Sequence, residues 1–428
     1  MCKKCNCGKV HKELSTRVFL EKGAIDSLKL LLAEYQAEKV FIIADKNTEE
    51  VAGKRVYDIL NEKQVFYKKC IFNEEKVVPN ETSVGRAIMK YDPTSDLIIA
   101  IGSGVINDIS KIVANVAGKP YIIVATAPSM DGYASSTSSM ELEGVKVSLP
   151  SKCADVIIGD IDVLKNAPIY MLQSGLGDML AKYISIAEWR ISHEINDEYY
   201  CEEIAEQVRA SLRTCIDSAD LLLKRDEKAV KAVFEGLVLC GQAMAAADCS
   251  RPASGVEHYF SHICDMRGLE FSLPTNLHGV QCAVATYIVS GLYEKVLNIV
   301  PDKEKALAYV RKFDYQKWAA ELKAFLGESA DAMVELEKKE GKYSVEKHEK
   351  RLPIILDKWE SICEIIRQEI PTQKQIGAIL HVIGLPTTMQ EIGINCDLEM
   401  MLKATKDIRD KYVLSRLLWD IGEIDSFI

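Results

Sequence analysis

A chain of 428 residues with 48% hydrophobic content is long enough for two domains of ordinary size and a large buried core. A net charge of −10 at pH 7 and a pI near 5.4, with Lys and Arg scattered among acids, exclude the basic footprint of a protein that binds nucleic acid or an anionic membrane, and point to small-molecule partners. No apolar run reaches the ~18 residues of a membrane helix, and the Met1 end lacks an apolar signal core, which predicts a cytoplasmic protein.

Of the thirteen cysteines, Cys70, Cys201, Cys215, Cys240 and Cys363 lie singly inside helical or strand-like patterns, where a reduced thiol packs as a small hydrophobe. The exception is the stretch Cys2-Lys-Lys-Cys5-Asn-Cys7-Gly-Lys-Val-His11. Its spacing suits a metal held by thiolates and an imidazole, but no second CxxC completes a zinc-ribbon pattern, so the plainer reading is a solvent-facing terminus.

Residues 39–45 (KVFIIAD) form an apolar, β-branched run, read as the first strand, and Val51 to Glu62 follow with helical periodicity. Asp96–Ile101 and Tyr121–Ala125 repeat the strand signal without polar alternation, as strands buried on both faces do. This predicts a doubly wound, Rossmann-like parallel sheet. From Pro168 onward the pattern becomes almost wholly helical. The expected organisation is a dinucleotide-binding α/β domain over 1–165 and an all-helical metal- and substrate-binding domain over 166–428. Residues 335–350 are densely charged and read as a solvated face.

Gly102-Ser103-Gly104 stands between a buried strand and a helix, where glycines let backbone amides approach a pyrophosphate and the helix N-terminus favours negative charge. Asn107 occupies the third glycine position of a Rossmann fingerprint, and the turn follows a later strand, so a plain tight turn is the competing reading. Asp45, at a strand end, can accept hydrogen bonds from ribose hydroxyls and repel a 2′-phosphate; its alternative is a helix N-cap. The loop Thr126-Ala-Pro-Ser129-Met-Asp131-Gly-Tyr-Ala-Ser135 follows another buried strand and should share the same sheet edge.

His258 and His262 are four apart on one helix face, the spacing of HExxH metalloproteases, but Tyr259 stands where the protease needs its Glu base. Asp178, in GLGDMLAKY, and His278, in LHGVQ, both read as standing at the starts of apolar helices. Two imidazoles and a carboxylate make a three-ligand site suited to zinc, iron or nickel.

Together these residues resemble the sn-glycerol-1-phosphate dehydrogenases, within the superfamily of iron-containing alcohol dehydrogenases and dehydroquinate synthases. The motifs that carry the resemblance are Gly102-Ser-Gly-Val-Ile-Asn-Asp108, Thr126-Ala-Pro-Ser-Met-Asp-Gly132, Gly175-Leu-Gly-Asp178, Ser250-Arg-Pro-Ala-Ser-Gly-Val-Glu-His258 with His262, and Leu277-His-Gly279. It implies metal ligands Asp178, His258 and His278, with Asp131, His262 and Asp178 at the substrate. Implied coenzyme contacts are Asp45, the turn from Gly102 through Gly104, Val105, Ile106, Asn107 and Asp108, then Thr126, Ala127, Pro128, Ser129 and Ser135. The implied reaction is reversible reduction of dihydroxyacetone phosphate to sn-glycerol 1-phosphate, a lipid precursor, with NADH or NADPH and one divalent metal ion. Two departures are a Lys- and Glu-rich stretch around 330–365 and a coenzyme choice that varies within the family; Asp45 favours NAD.

Hydride transfer turns a ketone into an alkoxide, and a divalent metal stabilises that charge. His262 is the local proton donor, or else orients its ligand neighbour. Arg251, ahead of a helix start, is a candidate for the substrate phosphate, with Lys182 a second; the plainer role for Arg251 is pairing with Asp248. Rival readings are a glycerol dehydrogenase, a dehydroquinate synthase-like cyclase, a metal-dependent hydrolase and a silent NAD-binding sensor. A homodimer is the expected assembly.

Overall fold

The computed structural model describes residue 5, residues 7–11 and residues 16–427. Six strands form one sheet: β1 (Arg17–Glu21), β2 (Lys39–Asp45), β3 (Phe66–Phe72), β4 (Leu97–Gly102), β5 (Tyr121–Ala125) and, after a separate hairpin of β6 (Thr137–Leu142) and β7 (Val145–Pro150), β8 (Val156–Asp160). Their order is β1-β8-β5-β4-β2-β3 and every pairing is parallel. All residues of β4, β5 and β8 are buried, which is why their sequences carry no polar alternation.

Register explains the site's position. Ala44 pairs with Ile101, and Gly102 with Ala125, so the ends of β2, β4 and β5 fall together at the carboxyl edge of the sheet. The chain leaves β2 for β3 on one side and returns to β4 on the other, which makes the gap between β2 and β4 a topological switch point, where open α/β sheets take ligands. Asp45 therefore ends the second strand, not the first. The strand that precedes it, β1, is a part-exposed edge whose apolar run, Val18-Phe19-Leu20, is only three residues long.

The chain divides into two compact units, Val10–Met179 with Ala210–Cys249, and Leu180–Arg209 with Ser250–Ile428. The first carries the sheet, with the helices Gly104–Ala117 and Glu227–Ala247 and most of the helix Ile169–Leu180. Helix Glu227–Ala247 corrects the expectation that no segment is long and apolar enough to cross a membrane: by length and composition it is, and 67% of its most apolar window is buried within the protein. It is a core helix. The second unit is helical; its helix Val256–Phe271 packs against helices Lys182–Asn196 and His278–Val296. The charged stretch forms parts of helices Ser329–Glu340 and Val345–Asp357.

Candidate active site

At the carboxyl edge of the sheet, Asp45 is a helix cap. Its Oδ1 accepts the amides of Asn47 at 2.8 Å and Thr48 at 2.9 Å, while Thr48 Oγ1 accepts the Asp45 amide at 3.1 Å. The Gly102–Gly104 turn is tight: a Cβ on Gly102 would lie 2.5 Å from Ile106 Cβ, and one on Gly104 3.3 Å from Met130 Cγ. Helix Gly104–Ala117 begins there with no side-chain cap from Ser103. Its first-turn amides, including those of Val105 and Ile106, are thus turned to whatever anion stands at that end.

The side chain of Asn107 works elsewhere. Its Nδ2 donates to Gly132 O at 3.1 Å and its Oδ1 accepts from Tyr121 Oη at 2.9 Å. Fully buried Lys111, which the sequence reading missed, donates to the carbonyls of Gly132, Ser135 and Thr137 and pairs with Asp108 Oδ1 at 3.1 Å. Burial still raises the Asp108 carboxyl above its ordinary value, outweighing the lysine. These side chains brace the loop from 126 to 137 against the glycine turn.

The same loop is pinned from its other side. Thr126 N donates to Gly102 O at 3.0 Å, Ala127 O accepts from Tyr133 Oη at 2.7 Å, and Ser129 O accepts from Ser174 Oγ at 2.9 Å. A Cβ on Gly175 would lie 1.8 Å from Pro128 O, so only glycine lets the loop press onto helix Ile169–Leu180. Ser135 Oγ is bonded within the loop, to Thr137. The Asp131 amide donates to Asp178 Oδ2 at 2.9 Å. Asp178 is fully buried and lies in the last turn of its helix, not at the start as its sequence context suggested.

The helical unit collects three imidazoles. His258 and His262 are a turn apart on helix Val256–Phe271, and His278 opens helix His278–Val296. Ring centroids are 5.0 Å apart for His258 and His278, 6.0 Å for His262 and His278, and 6.5 Å for His258 and His262. His258 Nδ1 lies 2.7 Å from Glu257 Oε1, and His278 Nδ1 2.9 Å from Ser261 Oγ. Anchoring a ring through Nδ1–H puts its lone pair on Nε2, the atom a metal takes. Cys282, one turn after His278 and fully buried, adds a sulfur; ligand atoms of His258, His278 and Cys282 all lie within 4.8 Å of one another. Imidazole and thiol donors fit zinc, iron or nickel better than magnesium or calcium.

Two buried glutamates stand behind His258. Glu257 Oε1 also accepts the Gly255 amide at 2.8 Å; Glu188 accepts from Val256 N at 2.9 Å, Leu414 N at 2.8 Å and Tyr293 Oη at 3.0 Å. A Cβ on Gly255 would fall 2.7 Å from Glu257 Oε2 and 2.8 Å from Glu188 Oε2, so this glycine makes room for the pair. Burial, with Glu257 beside it, pushes the Glu188 carboxyl up to about 8.

Over residues 19–168 the chain matches the model of the iron-containing alcohol dehydrogenase family. It is 33% identical over 294 residues to a glycerol-1-phosphate dehydrogenase of Halalkalibacterium halodurans, covering 68% of this chain and 74% of that protein. To the glycerol-1-phosphate dehydrogenase of Thermococcus sibiricus it is 32% identical over 282 residues, covering 66% and 78%. The chain belongs to the glycerol-1-phosphate dehydrogenase family. Both relatives are named for use of NAD(P)+. The family fold also extends to a solved glycerol dehydrogenase of Schizosaccharomyces pombe, with a TM-score of 0.60 at 17% identity over 98% of this chain and 91% of that one.

Against this family background two sequence expectations shift. Arg251 is nearly fully buried and every nitrogen of its guanidinium is engaged: Nε donates to Glu198 Oε1 at 2.7 Å, one terminal nitrogen to Tyr412 O at 2.8 Å, and the other to Glu198 Oε2 and to Ser192 Oγ at 3.2 Å. Its partner is Glu198, not Asp248. Lys182 is buried as well and donates to Ala253 O at 3.1 Å. In the N-terminal cluster, Cys2 lies outside the described residues. Cys5 Sγ is 2.9 Å from His11 Nε2, and Cys7 Sγ is 3.6 Å from Tyr199 Oη. No disulfide joins any cysteine among the described residues.

Proposed function

We propose that this chain is a cytoplasmic sn-glycerol-1-phosphate dehydrogenase that reversibly reduces dihydroxyacetone phosphate with NADH or NADPH, making a lipid precursor. One observation carries the reading: two imidazoles, His258 and His278, converge at 5.0 Å with their Nδ1 atoms held by Glu257 and Ser261, in a chain whose relatives bear that name. Asp178, His258 and His278 are assigned as ligands of one divalent ion. When bound, that ion supplies Lewis acidity at the ketone oxygen, and the coenzyme supplies the hydride.

The chain's own residues do the remainder. First-turn amides at Gly104, Val105 and Ile106 take the pyrophosphate, and the braced loop of Thr126–Ser129 with Ser135 lines the coenzyme. Asp45 accepts from the ribose hydroxyls while capping its helix, and its charge disfavours a 2′-phosphate. Asp131 and His262 border the substrate, the imidazole N–H of His262 passing a proton to the new hydroxyl oxygen. Arg251, whose nitrogens are all engaged by protein groups, is not assigned to the substrate phosphate. The assembly we propose is a homodimer; sedimentation of the metal-loaded chain at twice the monomer mass is the expected result.

The test follows NADH absorbance on adding dihydroxyacetone phosphate, before and after chelation and metal return, with chiral analysis of the product. Metal-dependent oxidation of NADH that yields the sn-1 enantiomer is expected. Equal turnover of unphosphorylated dihydroxyacetone makes the chain a glycerol dehydrogenase instead; coenzyme binding with no net oxidation makes it a cyclase or a sensor. Turnover without nicotinamide points to a hydrolase.

A further inference from the structure

The third donor beside the two histidines is absorbed by nothing above. Cys282 sits four residues after His278 on the helix that His278 opens, so both side chains share one face. Its sulfur lies 3.6 Å from His278 Nε2 and 4.0 Å from Nδ1, which puts it closer to the lone-pair nitrogen than to the one held by Ser261. A thiol buried for packing alone has no need to stand 3.6 Å from the lone-pair nitrogen of His278 and, with His258, inside one 4.8 Å cluster of donor atoms. A sulfur and a nitrogen on one tetrahedral zinc, at bond lengths of about 2.3 and 2.0 Å, stand about 3.5 Å apart. The 3.6 Å separation is close to that figure.

We propose that the Cys282 thiolate is itself a ligand of the metal held by His258 and His278. The inference rests on the metal-centre reading of the previous section and deepens it. The helical unit then supplies two imidazoles and one sulfur, a set that favours zinc or cobalt and disfavours magnesium or manganese; with Asp178 as a fourth donor, the ketone oxygen would enter as a fifth ligand. Binding releases the thiol proton to solvent and changes no oxidation state. The ordinary alternative is a weak S–H···N hydrogen bond within an apolar helix, which would leave metal affinity and spectrum indifferent to the sulfur.

Cobalt substitution separates the two. The full-length chain is prepared with Cys5→Ser and Cys7→Ser, so that the N-terminal thiols do not compete, and loaded with one equivalent of Co²⁺. A sulfur-to-cobalt charge-transfer band in the near ultraviolet is expected, lost in Cys282→Ser and in Cys282→Val while the visible ligand-field bands remain. Zinc affinity measured by chelator competition should fall about 10-fold or more in both variants. His278→Ala tests the underlying reading: if it leaves metal affinity unchanged, the centre is misassigned. If His278→Ala abolishes binding but the Cys282 variants keep the parent's band or affinity, the thiolate inference alone fails. A parent protein that binds cobalt without a charge-transfer band overturns it before any variant at 282 is made.

Discussion

Glu257 Oε1 lies 2.7 Å from His258 Nδ1 and accepts the amide of Gly255 at 2.8 Å, so one carboxylate oxygen both holds the backbone at the helix start and orients an imidazole. Outer partners of this kind raise the basicity of a metal-binding ring and fix its tautomer. Glu257→Gln, which keeps an acceptor but loses the charge, should lower zinc affinity about 10-fold, and Glu257→Ala up to about 100-fold. Chelator competition on folded protein checks both; affinities within a factor of two of the parent would remove Glu257 from the centre.

Glu188 makes stability fall with rising pH. Its carboxyl is pushed from 4.5 to about 8 by burial and by Glu257, so the folded chain holds a proton that the unfolded chain has already released. Stability contributed by this group is whole below about 4.5, declines by up to about 1.4 kcal/mol per pH unit, and is fully lost above about 8. Tm of the metal-free protein should therefore drop between pH 5 and pH 8, roughly, and Glu188→Gln should flatten that drop even if it lowers Tm overall. Parallel Tm curves would refute the assignment.

Arg251→Ala should act on stability and not on substrate choice. Removing one partner of a buried pair costs about 3–5 kcal/mol, and because Glu198 is 33% exposed the expected loss is about 2–3 kcal/mol. Chemical denaturation gives that number. KM for dihydroxyacetone phosphate and for dihydroxyacetone should change by the same factor; a selective rise for the phosphorylated ketone would return Arg251 to the phosphate.

Asp45→Asn separates the two roles of that side chain. Asn caps a helix as well as Asp, so stability should stay within about 0.5 kcal/mol. Loss of the charge should raise the ratio of kcat/KM for NADPH over NADH about 10-fold. An unchanged ratio would leave Asp45 as a cap only.

What the sequence disclosed followed burial. β2, β4 and β5 announce themselves because covered strands are continuously apolar, whereas the part-exposed β1, β3 and β6–β7 hairpin were not singled out, nor was β8, which is wholly buried but only five residues long. The pair His258 and His262 was legible from its spacing, and His278 from its place at the start of an apolar helix. Lys111, Glu188 and Glu257 were not, since a charged residue in a helix reads as solvent-facing until its partners fold over it. Those partners are remote: Glu188 meets Tyr293 and Leu414, and Arg251 meets Glu198 and Tyr412. Cys282 was hidden because a thiol among Val, Ala and Thr looks like one more small apolar group. Asp178 was placed at the wrong end of its helix, because the glycines before it resemble a helix start, whereas Gly175 serves instead to admit the loop at Pro128.

The unit that carries the sheet is discontinuous, with residues 180–209 assigned to the other unit and helix Glu227–Ala247 packed on the short helix Gly132–Ala134. During synthesis the ribosome therefore releases the eight strands of the described residues well before the apolar helix that packs on them. Until then a nascent chain carries an uncovered greasy surface, a natural client for holding chaperones, and a gene cut after codon 165 would make that interval permanent.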